Sequence, residues 1–206
     1  MLFRSLAVFF YLTLYMQNVL GYSAIQTGAA YLPLCFAIGT SAGISSQLLA
    51  RIGTRPVIVG GAVIAAGGMY WLSRIPVDGS FVSNLLPGML VLSLGIGPVF
   101  VGVTTAANAG VPADKAGLAA SLLNASQQVG GALGLAILTA IATSRTHHLL
   151  AAHAPAAHAL TAGFQRALLV GSILILVAAV LGLRATNTRG DEATAGPQAT
   201  PEPARA

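Results

Sequence analysis

The sequence predicts an all-α integral membrane protein of about six transmembrane helices, and three observations predict it. Of its 206 residues, 55% are hydrophobic and only 7% charged, with a mean hydropathy of +0.79; a soluble domain carries about 25% charged residues. The apolar residues gather in six long runs, close to the roughly twenty residues a bilayer demands. The Lys and Arg residues stand singly at the ends of those runs, where membrane topology puts them. Each run is expected to be helical, because an isolated strand in lipid leaves its backbone groups unpaired.

The first run, residues 6–20, makes only about 22 Å of helix against about 30 Å of hydrocarbon. Extending it back to Met1 brings in Arg4, which must then snorkel to the interface. A basic start before a short apolar stretch is also a signal-peptide pattern. Tyr15-Met16-Gln17-Asn18 is nevertheless a poor small-residue cleavage site, so a helix lacking its beginning is expected. The second run, 27–49, has Pro33 near its start and carries Gly39, Thr40, Ser41, Gly43, Ser45, Ser46 and Gln47. The third, 56–73, holds Gly60-Gly61 and Gly67-Gly68 and ends on Tyr70 and Trp71, expected interfacial anchors. The fourth, 85–109, contains Pro87, Gly95, Gly97, Pro98 and Gly102; such density suggests closely packed helices that can bend.

The fifth run, 116–143, holds three amides and a cluster of glycines. At about 100° per residue, Ser121, Asn124, Gln127, Gln128 and Gly131 share one face, with the Gly130/Gly134 GxxxG pair beside it. An amide facing hydrocarbon costs several kcal/mol, so these side chains should face protein or a water-filled cavity. The glycines let a neighbouring helix come close. Interhelical hydrogen bonding alone is the competing reading, although three amides on one stripe exceed what a single interhelical bond needs. A longer polar break, 144–163, is expected as an outer loop, and the sixth run covers 164–183. The chain thus divides into a six-helix unit, residues 1–185, and a Pro-, Ala- and Thr-rich tail, 186–206, expected to be disordered and cytoplasmic.

With the N-terminus inside, the inner side holds Arg4, Arg51, Arg55, Lys115, Arg184 and Arg189 and the outer side Arg74, Arg145 and Arg166. Six against three favours cytoplasmic termini.

Several functions are excluded or disfavoured. The net charge of +5 is not gathered into a basic, aromatic-interleaved patch, so nucleic-acid binding is not expected. Cys35 is the only cysteine, which rules out an internal disulfide. His147, His148, His153 and His158 sit mainly five residues apart, about 140° around a helix, with no neighbouring acid; a solvated loop is expected rather than a metal site. The carboxylates, Asp78, Asp114, Asp191, Glu192 and Glu202, all fall in breaks or the tail, so no intramembrane proton carrier is present. There is no phosphate-binding Gly-rich loop, no base–nucleophile pair and no sign of a cofactor. No enzyme activity is expected.

YLTLYMQNVLGYSAIQTGAAYLP, SQLLARIGTRPVIVGG, GVPADKAGLAASLLN and ASQQVGGALGLAI, in that order over nearly the whole chain, resemble the C-terminal half of the fourteen-helix drug:proton antiporters of the major facilitator superfamily. The resemblance implies one six-helix half of a plasma-membrane bundle that works by alternating access, each half containing inverted three-helix repeats. It implies a substrate-path role for Gln17, Asn124, Gln127 and Gln128, Gln127 standing where many members have Arg. It implies helix packing at Gly130, Gly131 and Gly134, and an inner-gate loop at Arg51, Gly53 and Arg55. Two positions depart from the loop motif: Ser46 stands at its opening Gly and Ala50 at its Asp, so that charge relay cannot form.

Together these imply proton-driven export of small hydrophobic or cationic compounds, with the bilayer and a drug-like molecule as partners. The proton path then lies in a missing N-terminal half, supplied by a separate chain or a second copy. The alternative expectation is a fragment that transports nothing, or a membrane protein that packs against a full-length transporter.

Overall fold

The computed structural model of the chain describes residues 13–14, 16–17, 21–76 and 81–184. Most of the first expected run, 6–20, and the expected tail, 186–206, lie outside the described residues. The described elements are α1 (Ala24–Ala30), α2 (Leu32–Ile52), α3 (Thr54–Leu72), a π turn (Phe81–Leu85) leading into α4 (Leu86–Asn108), a 3-10 turn (Ala113–Lys115), α5 (Ala116–Ala151) and α6 (Ala156–Gly182). With α1 and α2 taken together, five helices are long and apolar enough to cross a membrane. Among the described residues there is no strand.

Local chemistry sets the helix ends. Ser23 and Gln26 form a capping box at the start of α1: the Gln26 N–H donates to Ser23 Oγ, and the Ser23 N–H donates to Gln26 Oε1. Pro33 has no N–H to continue the α1 ladder, so the chain breaks at Tyr31 and restarts as α2 with the proline in its first turn. A single residue, Gly53, joins α2 to α3. Its φ of +84° suits glycine, and its N–H closes α2 on the Leu49 carbonyl at 3.0 Å.

Helix α4 stands at the centre, packed on α2 and α3; α3 also packs on α6, and α6 on α5. Glycine makes the α3–α4 seam possible. A Cβ on Gly68 would overlap the Leu92 backbone, and one on Gly95 would overlap the backbone of Ala65. Hydroxyls tie the helices together: Ser41 Oγ donates to the Leu94 carbonyl at 2.7 Å and Ser172 Oγ to the Ala66 carbonyl at 3.0 Å. Met16, Met69, Leu72, Leu85, Met89 and Leu138 are fully buried, which puts the core toward the end of the bundle where α3 stops.

One expectation is corrected. The 144–163 break is not a loop: α5 continues to Ala151 and α6 begins at Ala156. His147 and His148 lie in the last turns of α5, His158 in the first turn of α6, and only His153, with φ of +60°, in the connection. The stretch is rich in alanine, the best helix former. The two helices zip together there through Thr146 Oγ1 donating to the Ala159 carbonyl at 3.3 Å. Hydropathy marks where the lipid ends, and the helix runs on beyond it.

Candidate functional site

Antiparallel packing fixes the height of the amide stripe on α5. Thr146 meets Ala159, and Gly171 lies against Leu138. Continued along α5, this register brings residues 124–128 level with the last turn of α6. Gly182, in that turn, faces Ile58 and Val59 one turn inside the Gly53 connection. The stripe therefore occupies the half of the bundle nearest the Gly53 end.

Its orientation is informative. Asn124 and Gln127 lie on the continuation of the face that further along buries Gly131, Leu138 and Ala142. Yet Asn124 and Gln128 are exposed and Gln127 is only half-buried. The first half of α5 thus presents its polar side toward space that the described chain leaves uncovered. Among the described residues, none of the three amides has a hydrogen-bond partner. Ser121, at the upstream edge of the stripe, spends its hydroxyl on the Leu118 carbonyl of its own helix. Three amides with free donors and acceptors, held on a rigid helix, can hydrogen-bond a polar group brought to that face; they carry no charge and cannot transfer a proton.

The glycines divide. Gly131 is buried, Gly134 is half-buried, and a Cβ on Gly130 would meet nothing within 4 Å. Within the described chain Gly130 serves no close approach.

Arg51 and Arg55 flank the buried Gly53, and both are exposed at the same end of the bundle as the stripe. Arg51 lies in the last turn of α2, where the C-terminal helix dipole favours a cation. Thr54, next to Gly53, is fully buried and pins the turn to the bundle. Gln17 is not brought to these residues. It is exposed beside Met16, whose side chain is buried among Leu72, Ile75 and Phe164 at the opposite end.

Sequence reasoning missed one arrangement. Pro98 interrupts α4 and cannot donate to the Leu94 carbonyl four residues earlier. Ser41 supplies the missing donor from α2. A proline within a span signals an orphaned carbonyl, but nothing in the sequence says which hydroxyl answers it.

A sequence model of the Major Facilitator Superfamily matches residues 1–135. The puromycin resistance protein of Streptomyces alboniger is 37% identical over 205 residues, covering 96% of this chain and 41% of that protein. The cephamycin export protein of Amycolatopsis lactamdurans is 35% identical over 142 residues, 68% of this chain and 29% of its own length. The tetracenomycin C resistance and export protein of Streptomyces glaucescens is 34% identical over 146 residues, 70% and 27% respectively. The chain spans less than half the length of these relatives. Its membrane-length helices, glycine-packed seam and family match together establish that the chain belongs to the Major Facilitator Superfamily.

Proposed function

We propose that this chain is the C-terminal six-helix portion of a drug-exporting permease of the plasma membrane. Joined to an N-terminal half, it carries out proton-coupled export of small hydrophobic or cationic compounds. Relatives named for antibiotic resistance and export support the substrate class. The observation that carries the reading is the uncovered amide stripe. Unpartnered amides facing lipid would cost several kcal/mol, so a second wall, supplied by another half, closes over them and forms the path. Asn124, Gln127 and Gln128 then offer hydrogen bonds to a passing substrate. Gly130 and Gly134 leave room for the opposing helix, and Gln17 serves the path at its far end.

The Gly53 end, with Arg51, Arg55, Lys115 and Arg184, is the cytoplasmic side on the positive-inside rule. The Arg51–Arg55 turn accordingly lies at the inner gate, and both termini face the cytoplasm.

The test is Gln128→Leu in a full-length protein containing this half. Losing one hydrogen bond to substrate lowers export efficiency up to about tenfold for substrates with a polar group there, at unchanged expression. Efflux unaltered across several substrates would assign the stripe to helix packing instead.

A further inference from the structure

At the end opposite Gly53 the bundle gathers charges that sequence reading used only to orient the chain. Two grooves meet there. One, of about 550 Å³, is lined by Ala140, Ile141, Ser144, Arg145, His148 and Arg166. The other, of about 230 Å³, has Ser73, Arg74 and Gln165 among its lining residues and shares Arg145 and Arg166. The two shared arginines come from antiparallel α5 and α6, and Arg74 follows the end of α3. Gln165 Nε2 donates to the Ile75 carbonyl at 2.6 Å, which brings the start of this cluster level with the end of α3. Arg74 is itself held in place, donating to the Tyr70 hydroxyl with its guanidinium 5.1 Å from that ring's centre.

The height of the cluster identifies its surroundings. Helix α3 has 19 residues, which makes about 28 Å of helix and matches the hydrocarbon thickness of about 30 Å. Arg74 and Arg166 therefore stand at the head-group level, beside the exposed Tyr70 and Trp71 that suit the same layer. Below Arg145, toward the bilayer, the first groove is floored by Ala140 and Ile141; Leu169 lines the second.

The charge is not neutralised by the described chain. Among the described residues the only carboxylate is Asp114, at the other end of the bundle. Asp78 follows Arg74 by four positions in the sequence, and one carboxylate against three guanidinium groups still leaves an excess of positive charge. Two arginines that line the same groove repel each other unless an anion lies between them, and the planar guanidinium fork matches phosphate oxygens.

The geometry points to a binding site for the phosphate head group of an anionic phospholipid, clamped by Arg145 and Arg166 with Arg74 alongside. One acyl chain descends over Ala140 and Ile141. A free phosphate ion would use the arginines but gain nothing from the apolar floor, which favours the lipid.

The test uses the whole chain reconstituted into vesicles of equal parts phosphatidylglycerol and phosphatidylcholine, extracted in mild detergent, with retained lipid read by native mass spectrometry. Phosphatidylglycerol should be retained about thirtyfold over phosphatidylcholine, as expected for two basic side chains at a membrane surface. The ratio should fall as salt is raised. Arg145→Gln/Arg166→Gln should bring it near parity, while Lys115→Gln/Arg184→Gln, at the opposite end, should leave it unchanged. The proposal fails if the wild-type chain shows no preference, a result that does not depend on any variant folding. It also fails if the preference survives Arg145→Gln/Arg166→Gln, or is lost equally in the Lys115/Arg184 variant. Displacement of the lipid by inorganic phosphate alone would make this a soluble-anion site and overturn the lipid assignment.

Discussion

Among single residues, Pro98 and Ser41 show how this chain tolerates a break within a span. Lipid offers no water to a carbonyl that has lost its donor, so the orphaned group must be satisfied by protein. The Ser41 hydroxyl does this for Leu94 from 53 positions away in the sequence. Removing it in Ser41→Ala should cost about 1 kcal/mol, within the range measured for interhelical bonds in membranes. In a Pro98→Ala background the cost should largely vanish, because the backbone N–H restored at position 98 then satisfies the Leu94 carbonyl within the helix. Unfolding of the four proteins in mixed micelles measures the coupling, which should be about 0.5–1 kcal/mol; strict additivity would remove the proposed link. Both residues are conspicuous in the sequence, one as a mid-helix proline and one in a Ser/Gly-rich stretch. Their pairing is not legible there, since neither residue type selects a partner helix. The amide stripe is legible for a related reason: an unpaired amide is costly wherever lipid surrounds it, so Asn124, Gln127 and Gln128 stand out before any neighbour is known.

At the level of elements, the α3–α4 seam turns on which glycine of each pair faces the neighbour. Gly61 and Gly68, seven residues apart, are buried, while a Cβ on Gly60 or Gly67 would meet nothing within 4 Å. Gly68→Ala and Gly95→Ala each push a methyl into backbone on the opposing helix, and each should destabilise by about 1–3 kcal/mol. Gly60→Ala adds a methyl to open space inside a helix and should stabilise by about 0.5–1 kcal/mol. Thermal unfolding in detergent separates the outcomes, and equal effects at Gly60 and Gly68 would contradict the seam. The sequence displays both Gly-Gly pairs but cannot say which member faces inward, because two adjacent positions differ only by 100° of rotation. The positions of the spans are much plainer. The bilayer imposes length and apolarity, so α3 and α4 begin and end within two residues of the expected runs. Where no bilayer constrains the chain, hydropathy falls silent, and the Ala-rich α5–α6 hairpin reads as a loop. Its signals are local: the run of helix formers through Ala151, and Pro155 at the start of α6.

For the molecule as a whole, the decisive feature is what its spans do not carry. All five carboxylates of the sequence lie outside the membrane-length helices, and the one that is described, Asp114, is exposed in the turn before α5. Proton coupling within a membrane runs through buried Asp, Glu or His, whereas His147, His148 and His158 are exposed in the end turns of α5 and α6. An amide stripe can hold a substrate but cannot take up and release protons in the accessible range. On the reading proposed above, the side of α5 that the described residues leave uncovered is closed by a further helical wall, which shields Asn124 and Gln128 from lipid. Produced alone in a strain lacking its own pumps, the chain should insert in the membrane yet give dye efflux no greater than an empty vector. Supplied with an N-terminal half of the same family, as a fused or co-produced chain, it should give efflux that collapses when the proton gradient is dissipated. Gradient-dependent efflux by the chain alone would mean that it carries its own coupling group and would refute the division of labour proposed above. Absence of efflux in both arrangements, with both halves present in the membrane, would assign the chain to a non-transporting role. Addition of the partner half therefore distinguishes a carrier that lacks its proton path from a bundle that only packs.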